Sequence, residues 1–115
     1  MKRFGLAKSS LLRKTSEFNL VYRSGKRLYG KGFTLIYLNG DQPASRLGIS
    51  VQKKVGNAVR RNRIKRIIRE TFRLNRHTFP RSSDIVFAVR PGFSLNGTAA
   101  VRTAVAGVTG LTGQD

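Results

Sequence analysis

Apolar residues recur with different periods along this chain, and each change of period marks an element. In TSEFNLVYRSG (15–25), Phe18, Val21 and Tyr22 fall at i, i+3 and i+4, the spacing of one helix face. Thr15 or Ser16 can cap that helix, Glu17 suits its positive end, and Gly25 is a natural stop. The period then drops to two. Across KRLYGKGFTLIYLNG (26–40), Phe33, Leu35 and Tyr37 alternate with Thr34 and Ile36, which predicts strands with two distinct faces. NGDQPAS (39–45) predicts a reversal, and RLGISVQ (46–52) alternates Leu47, Ile49 and Val51 against Gly48 and Ser50 as a further strand. A helical period returns from about Gly56 to Asn75, and DIVFAVRPG (84–92) is apolar enough for an interior strand. In the last stretch Val101, Val105 and Val108 keep helical spacing. Gly107, Gly110 and Gly113 each weaken that helix by about 1 kcal/mol relative to alanine, so a short, frayed helix is predicted.

The long central helix separates into two arcs when its residues are advanced by about 100° each. Ile64, Ile67, Ile68 and Thr71 cluster on one side, with Phe72 and Leu74 at its margins; Asn62, Lys65, Arg66, Arg69 and Arg73 occupy the other. The isoleucines anchor the helix and the cations are held outward. Like charges meet at Arg61–Lys65, Lys65–Arg69, Arg69–Arg73, Arg60–Arg63, Arg63–Arg66 and Arg66–Arg69. At roughly 0.2–0.5 kcal/mol each these pairs cost about 1–3 kcal/mol in total. Glu70 answers part of that through Arg66 and Arg73. A merely solvated face does not need such a cost, whereas a polyanion offsets it.

Composition points the same way. The chain has 115 residues, 39% of them hydrophobic, enough for one compact domain with a core. It carries 23 Lys and Arg against five acids, a formal net charge of +18, so nucleic acid is the first partner to consider and an anionic membrane surface the second. No apolar run approaches the ~18 residues that span a bilayer. The basic N-terminus lacks the apolar core of a secretory signal, so a cytoplasmic protein is expected. The absence of cysteine excludes disulfides and thiol chemistry, and five scattered acids with one histidine offer no general acid–base pair or metal cluster. His77 reads as a cap or surface residue. No catalytic or metal-ligating side chain is expected, nor a small-molecule substrate. Arginine favours phosphate, which it grips with two parallel hydrogen bonds, and it also stacks on bases. These residues alone do not choose between DNA and RNA.

KKVGNAVRRNRIKRIIRETFR (53–73), with Arg61-Asn62-Arg63 at its centre, resembles the signature of the bacterial ribonuclease P protein family. SEFNLVYRSGKR resembles that family's first helix, RLGISVQKKVGNAV its strand leading into the signature helix, and DIVFAVRPG its following strand, so the likeness spans roughly residues 11–92. The resemblance implies a cofactor protein that assists a catalytic RNA in the magnesium-dependent hydrolysis that frees the 5′ end of tRNA from its precursor. Magnesium would be held mainly by RNA phosphates. The residues implied to face the catalytic RNA are Lys53, Lys54, Asn57, Arg61, Asn62, Arg63, Lys65, Arg66 and Arg69. Those implied to meet the single-stranded 5′ leader of precursor tRNA are Phe18, Tyr22, Thr34, Ile36, Ser50, Lys54 and Arg90. For Phe18 and Tyr22, plain core packing stands as an equal alternative.

The implied fold is a single α/β domain over 1–115, an α+β sandwich-like, ribosomal-protein-S5-domain-2-like arrangement in the order α-β-β-β-α-β-α. Its ends, 1–12 and 109–115, are expected to be flexible. A strand–helix–strand crossover is right-handed in about 98% of cases, yet members of this family have a left-handed one, and the resemblance implies the same here. The departure is the C-terminus, where only Arg102 follows Arg90 in place of the family's basic tail. A structural RNA-binding protein of the ribosomal kind remains the alternative reading.

Overall fold

Among residues 7–111, which the computed structural model describes, the elements are α1 (Thr15–Ser24), β1 (Lys26–Gly30), β2 (Phe33–Asn39), β3 (Arg46–Val51), α2 (Ala58–Leu74), β4 (Ser83–Val89) and α3 (Thr98–Thr109). The order matches the expectation, and the element bounds differ where local chemistry decides. Lys14, not Thr15 or Ser16, is the residue before α1, and the capping is done by Glu17. Its Oε1 accepts the N–H of Arg13 at 2.9 Å and of Lys14 at 3.0 Å, so one charged carboxylate binds the two backbone donors just ahead of the helix. Asn57 caps α2 by accepting the Arg60 N–H at 2.9 Å. Strand β4 stops at Val89, where the Arg90 N–H turns away to the Gly32 carbonyl at 2.9 Å. Helix α3 runs through Gly107 and ends on Gly110, whose φ of 74° is the left-handed cap that glycine adopts without strain. Gly113 lies outside the described residues.

The sheet has the order β1-β2-β4-β3. β1 with β2 and β2 with β4 are antiparallel, while β3 is parallel to β4, so α2 forms the crossover between them. Leu35 stands opposite both Leu28 and Phe87, and Phe87 opposite Ile49, which places these side chains on one face. Helices α2 and α3 cover it through Ile64, Ile68, Phe72, Val101 and Val105. Phe33 stacks on Phe87 with ring centroids 4.8 Å apart. Phe72, expected at the margin of the α2 apolar arc, is fully buried and meets Phe79 edge-on, while Leu74 is 55% exposed. Ile67 is half-buried.

Helix α1 covers part of the opposite face, closing a second, smaller core of Leu12, Val21, Ile36 and Val86. The expectation of flexible ends falls partly outside the described residues. Within them, the Leu12 side chain is buried and its N–H donates to the Leu47 carbonyl at 2.9 Å, which ties residue 12 to the sheet.

Candidate nucleic-acid interface

Two surfaces flank the sheet, one made by α2 and one by α1. On α2 the signature residues straddle the exposed ridge, since successive helical residues point about 100° apart. Arg61 and Arg63 therefore lie on opposite flanks of Asn62. Asn62, Arg63, Arg66 and Arg69 are exposed, while Arg61 and Lys65 are half-buried. Arg61 is tied down, its Nε donating to the Gly56 carbonyl at 3.0 Å. Asn57 has its Oδ1 occupied by the cap of its own helix. Lys53 and Lys54 are exposed on the short 3-10 turn Lys53–Val55 between β3 and α2.

Apart from Arg73, no cation of this arc meets an acid among the described residues. Glu70 takes Arg73 in a two-point pair, Oε1 to Nε at 3.0 Å and Oε2 to Nη2 at 2.6 Å, and not Arg66 as well. That pairing holds the Glu70 carboxyl below its ordinary range and raises Arg73. Glu17 and Asp84 are both engaged by Arg46, at 3.0 and 2.7 Å. The Lys14 and Arg13 N–H groups, helped by Arg46, hold the Glu17 carboxyl down at about 2. With these three acids committed to arginines, and no cluster of three or more metal-ligating side chains among the described residues, the carboxylates present do not fit a magnesium site.

On the other face, α1 packs against β2 and β4. Register places Arg27, Ile36, Val86 and Gly48 in one row beneath the helix, and Tyr29, Thr34, Ala88 and Ser50 in the next. At three strand spacings of about 4.8 Å, each row is roughly 14 Å long. Phe18 lies over Gly48: a Cβ there would come within 2.5 Å of Phe18 Cζ, so only glycine leaves the ring its seat. Tyr22 sits toward β1, with the Arg27 guanidinium 5.9 Å from its ring centroid. Both rings are half-buried: each packs on the small core and keeps an open side.

The expected leader residues divide accordingly. Phe18, Tyr22, Ser50 and Lys54 reach the surface. Thr34 and Ile36 do not: they are 6% and 1% exposed, and Ile36 packs with Val21 of α1 in the small core. Arg90 is half-buried and largely spent on backbone, its Nη2 donating to the carbonyls of Phe33 at 3.1 Å and Gly30 at 3.3 Å, which clamps the β1–β2 turn. Sequence reasoning missed Tyr29, which shares the Thr34 row and is 68% exposed. Its signal was present, as an aromatic of the polar-facing set of an edge strand. It also missed Arg60, which reaches back from α2 to the Val55 and Phe93 carbonyls at 3.1 and 3.2 Å. No pattern of residue types marks that tether.

Comparison with known proteins identifies the family. The family model described as Ribonuclease P matches residues 6–110. The ribonuclease P protein component of Desulfotalea psychrophila is 54% identical over 110 residues, covering 96% of this chain and 92% of that one. Among solved structures, the RNase P protein of Staphylococcus aureus superposes with a TM-score of 0.76 at 32% identity, over 88% of this chain and 93% of that one. The RNase P protein of Thermotoga maritima gives 0.75 at 33% identity, over 91% and 97%. The chain therefore belongs to the ribonuclease P protein family.

Proposed function

We propose that this chain, acting in tRNA 5′ maturation as the protein subunit of ribonuclease P, serves two RNAs with two faces. The outer arc of α2 holds the catalytic RNA through Lys53, Lys54, Arg61, Asn62, Arg63, Lys65, Arg66 and Arg69. Arg61 and Asn57 act there with part of their polar capacity already used. The surface beside α1 holds the single-stranded 5′ leader of precursor tRNA on Phe18 and Tyr22, with Ser50 and Lys54 alongside. Thr34 and Ile36 lie beneath it, and Arg90 stiffens its edge.

One observation carries the reading: Arg63, Arg66 and Arg69, exposed on α2, have no carboxylate partner among the described residues, since Glu70 is taken by Arg73 and Glu17 and Asp84 by Arg46. Cations left unanswered in one arc suit a ligand that brings its own negative charge. The half-buried rings supply sequence-tolerant stacking worth about 1–3 kcal/mol per base, which a leader of varied sequence requires. Chemistry at the scissile phosphodiester belongs to the RNA subunit, with magnesium on RNA and substrate phosphates. The protein contributes binding and orientation. The test is substrate discrimination: Phe18→Leu and Tyr22→Leu should weaken binding of precursor tRNA to the holoenzyme far more than binding of mature tRNA. Equal losses on both substrates would return these rings to core packing.

A further inference from the structure

We infer that the catalytic RNA inserts one unstacked nucleobase into a small cavity beside the outer arc of α2, an assignment that rests on that arc being the RNA-binding face. The cavity, about 220 Å³, lies between the first turns of α2 and the segment leading from β4 to α3. Val59, Ile67 and Leu95 give it an apolar lining, and Asn57, Arg63 and Asn96 a polar one. Val59 is 78% exposed, more than any other large hydrophobic side chain among the described residues. It stands in the first turn of a helix whose next outward positions are Asn62, Arg63 and Arg66.

Arg60 is what turns this hollow into a site. Its Nε donates to the Val55 carbonyl at 3.1 Å and its Nη2 to the Phe93 carbonyl at 3.2 Å, so its guanidinium is fixed across the gap between α2 and the following segment. Arg60 lines the cavity, and a guanidinium plane stacks on the face of a base. Arg63 and Asn96 make no side-chain hydrogen bond to another described residue, which leaves their donors free for a base edge or the flanking phosphates.

Size and charge select the occupant. Pockets for drug-sized ligands run from roughly 300 to 1,000 Å³, so this one takes a single ring system and excludes a helix, a strand or a duplex. The surrounding field is that of a chain with net charge +18, so the ring arrives attached to a polyanion. The base enters the apolar part while its neighbouring phosphates meet Arg63 and Arg66. A base inside a helix is stacked and cannot enter, so the contact selects a bulged or single-stranded nucleotide.

Val59→Ala tests this with little risk to the fold, because the residue is 78% exposed and alanine is the better helix former. Wild type, Val59→Ala and Arg66→Ala are titrated onto a bacterial ribonuclease P RNA at several salt concentrations, and each is melted to confirm folding. Val59→Ala should bind roughly 5- to 10-fold more weakly at every salt, through lost apolar contact, with an unchanged slope of log K against log salt. Arg66→Ala should lower that slope by about one. A fully paired RNA duplex should bind Val59→Ala as well as wild type, and Leu95→Ala should reproduce the whole pattern. Full affinity in Val59→Ala beside a weakened Arg66→Ala would overturn the base site and leave the α2 face standing. No change in either variant would overturn the face itself. Equal loss on the duplex, or a flattened slope for Val59→Ala, would also overturn the base site, since the residue would then act through the helix surface.

Discussion

Gly48→Ala separates the two roles of Phe18, as a packed side chain and as a surface for the leader. The added Cβ would lie 2.5 Å from Phe18 Cζ, 2.8 Å from Cε2 and 3.1 Å from Leu12 Cβ. Ordinary carbon contacts are near 3.5–4.0 Å, so the ring must lift by about 1 Å or swing out. Gly48 has no left-handed φ, so the backbone itself is not strained. Overpacking of this kind costs about 1–3 kcal/mol, and each kcal/mol lowers the melting midpoint of a domain near this size by roughly 4–8 °C. If the displaced ring also loses one base contact, about 1–3 kcal/mol of leader binding goes with it, a 5- to 150-fold fall. The assay pairs thermal melting with holoenzyme affinities for precursor and mature tRNA. The expected outcome is a lower midpoint together with a precursor-specific loss. A lower midpoint with the precursor preference intact would remove Phe18 from the leader site, and an unchanged midpoint would refute the seating of the ring on Gly48.

Two further outcomes follow from named groups. Gly107 lies within α3 and a Cβ there meets nothing within 4 Å, so Gly107→Ala should stabilise the domain by about 0.5–1 kcal/mol in a denaturant titration, whereas destabilisation would show that α3 is not continuous there. The folded state holds the Glu17 carboxyl at about 2 against an ordinary 4.5, so its contribution is complete above pH 4.5 and is lost as pH falls through that value toward 2. The melting midpoint should drop across that window, and Glu17→Ala, less stable at neutral pH, should show a shallower drop; parallel curves would exclude Glu17 as a source of acid sensitivity.

The α2 surface was legible in the sequence because a helix converts spacing into direction: Asn62, Arg66 and Arg69 point out for the same geometric reason that Ile64 and Ile68 point in. Alternation likewise placed Thr34 and Ile36 on the face opposite Phe33 and Leu35. It could not show what would lie on that face. The row of Ile36, Val86 and Gly48 is covered by α1, which packs from a different part of the chain, so Ile36 is buried, while Tyr29 on the edge strand β1 stays exposed. The same limit applies to the arginines. Arg60, Arg61 and Arg66 read alike as letters, yet Arg60 and Arg61 donate to carbonyls five residues back and Arg60 also to the Phe93 carbonyl, which only the folded chain brings near. Glu17 was placed correctly at a helix start, but its partnership with Arg46 joins elements 29 residues apart.

Reconstitution tests most directly the division of labour between a binding protein and a catalytic RNA. Mixed with a bacterial ribonuclease P RNA at low magnesium, the protein should accelerate 5′ maturation of precursor tRNA, and without that RNA it should cleave nothing. Failure to stimulate the RNA, or cleavage by the protein alone, would contradict it.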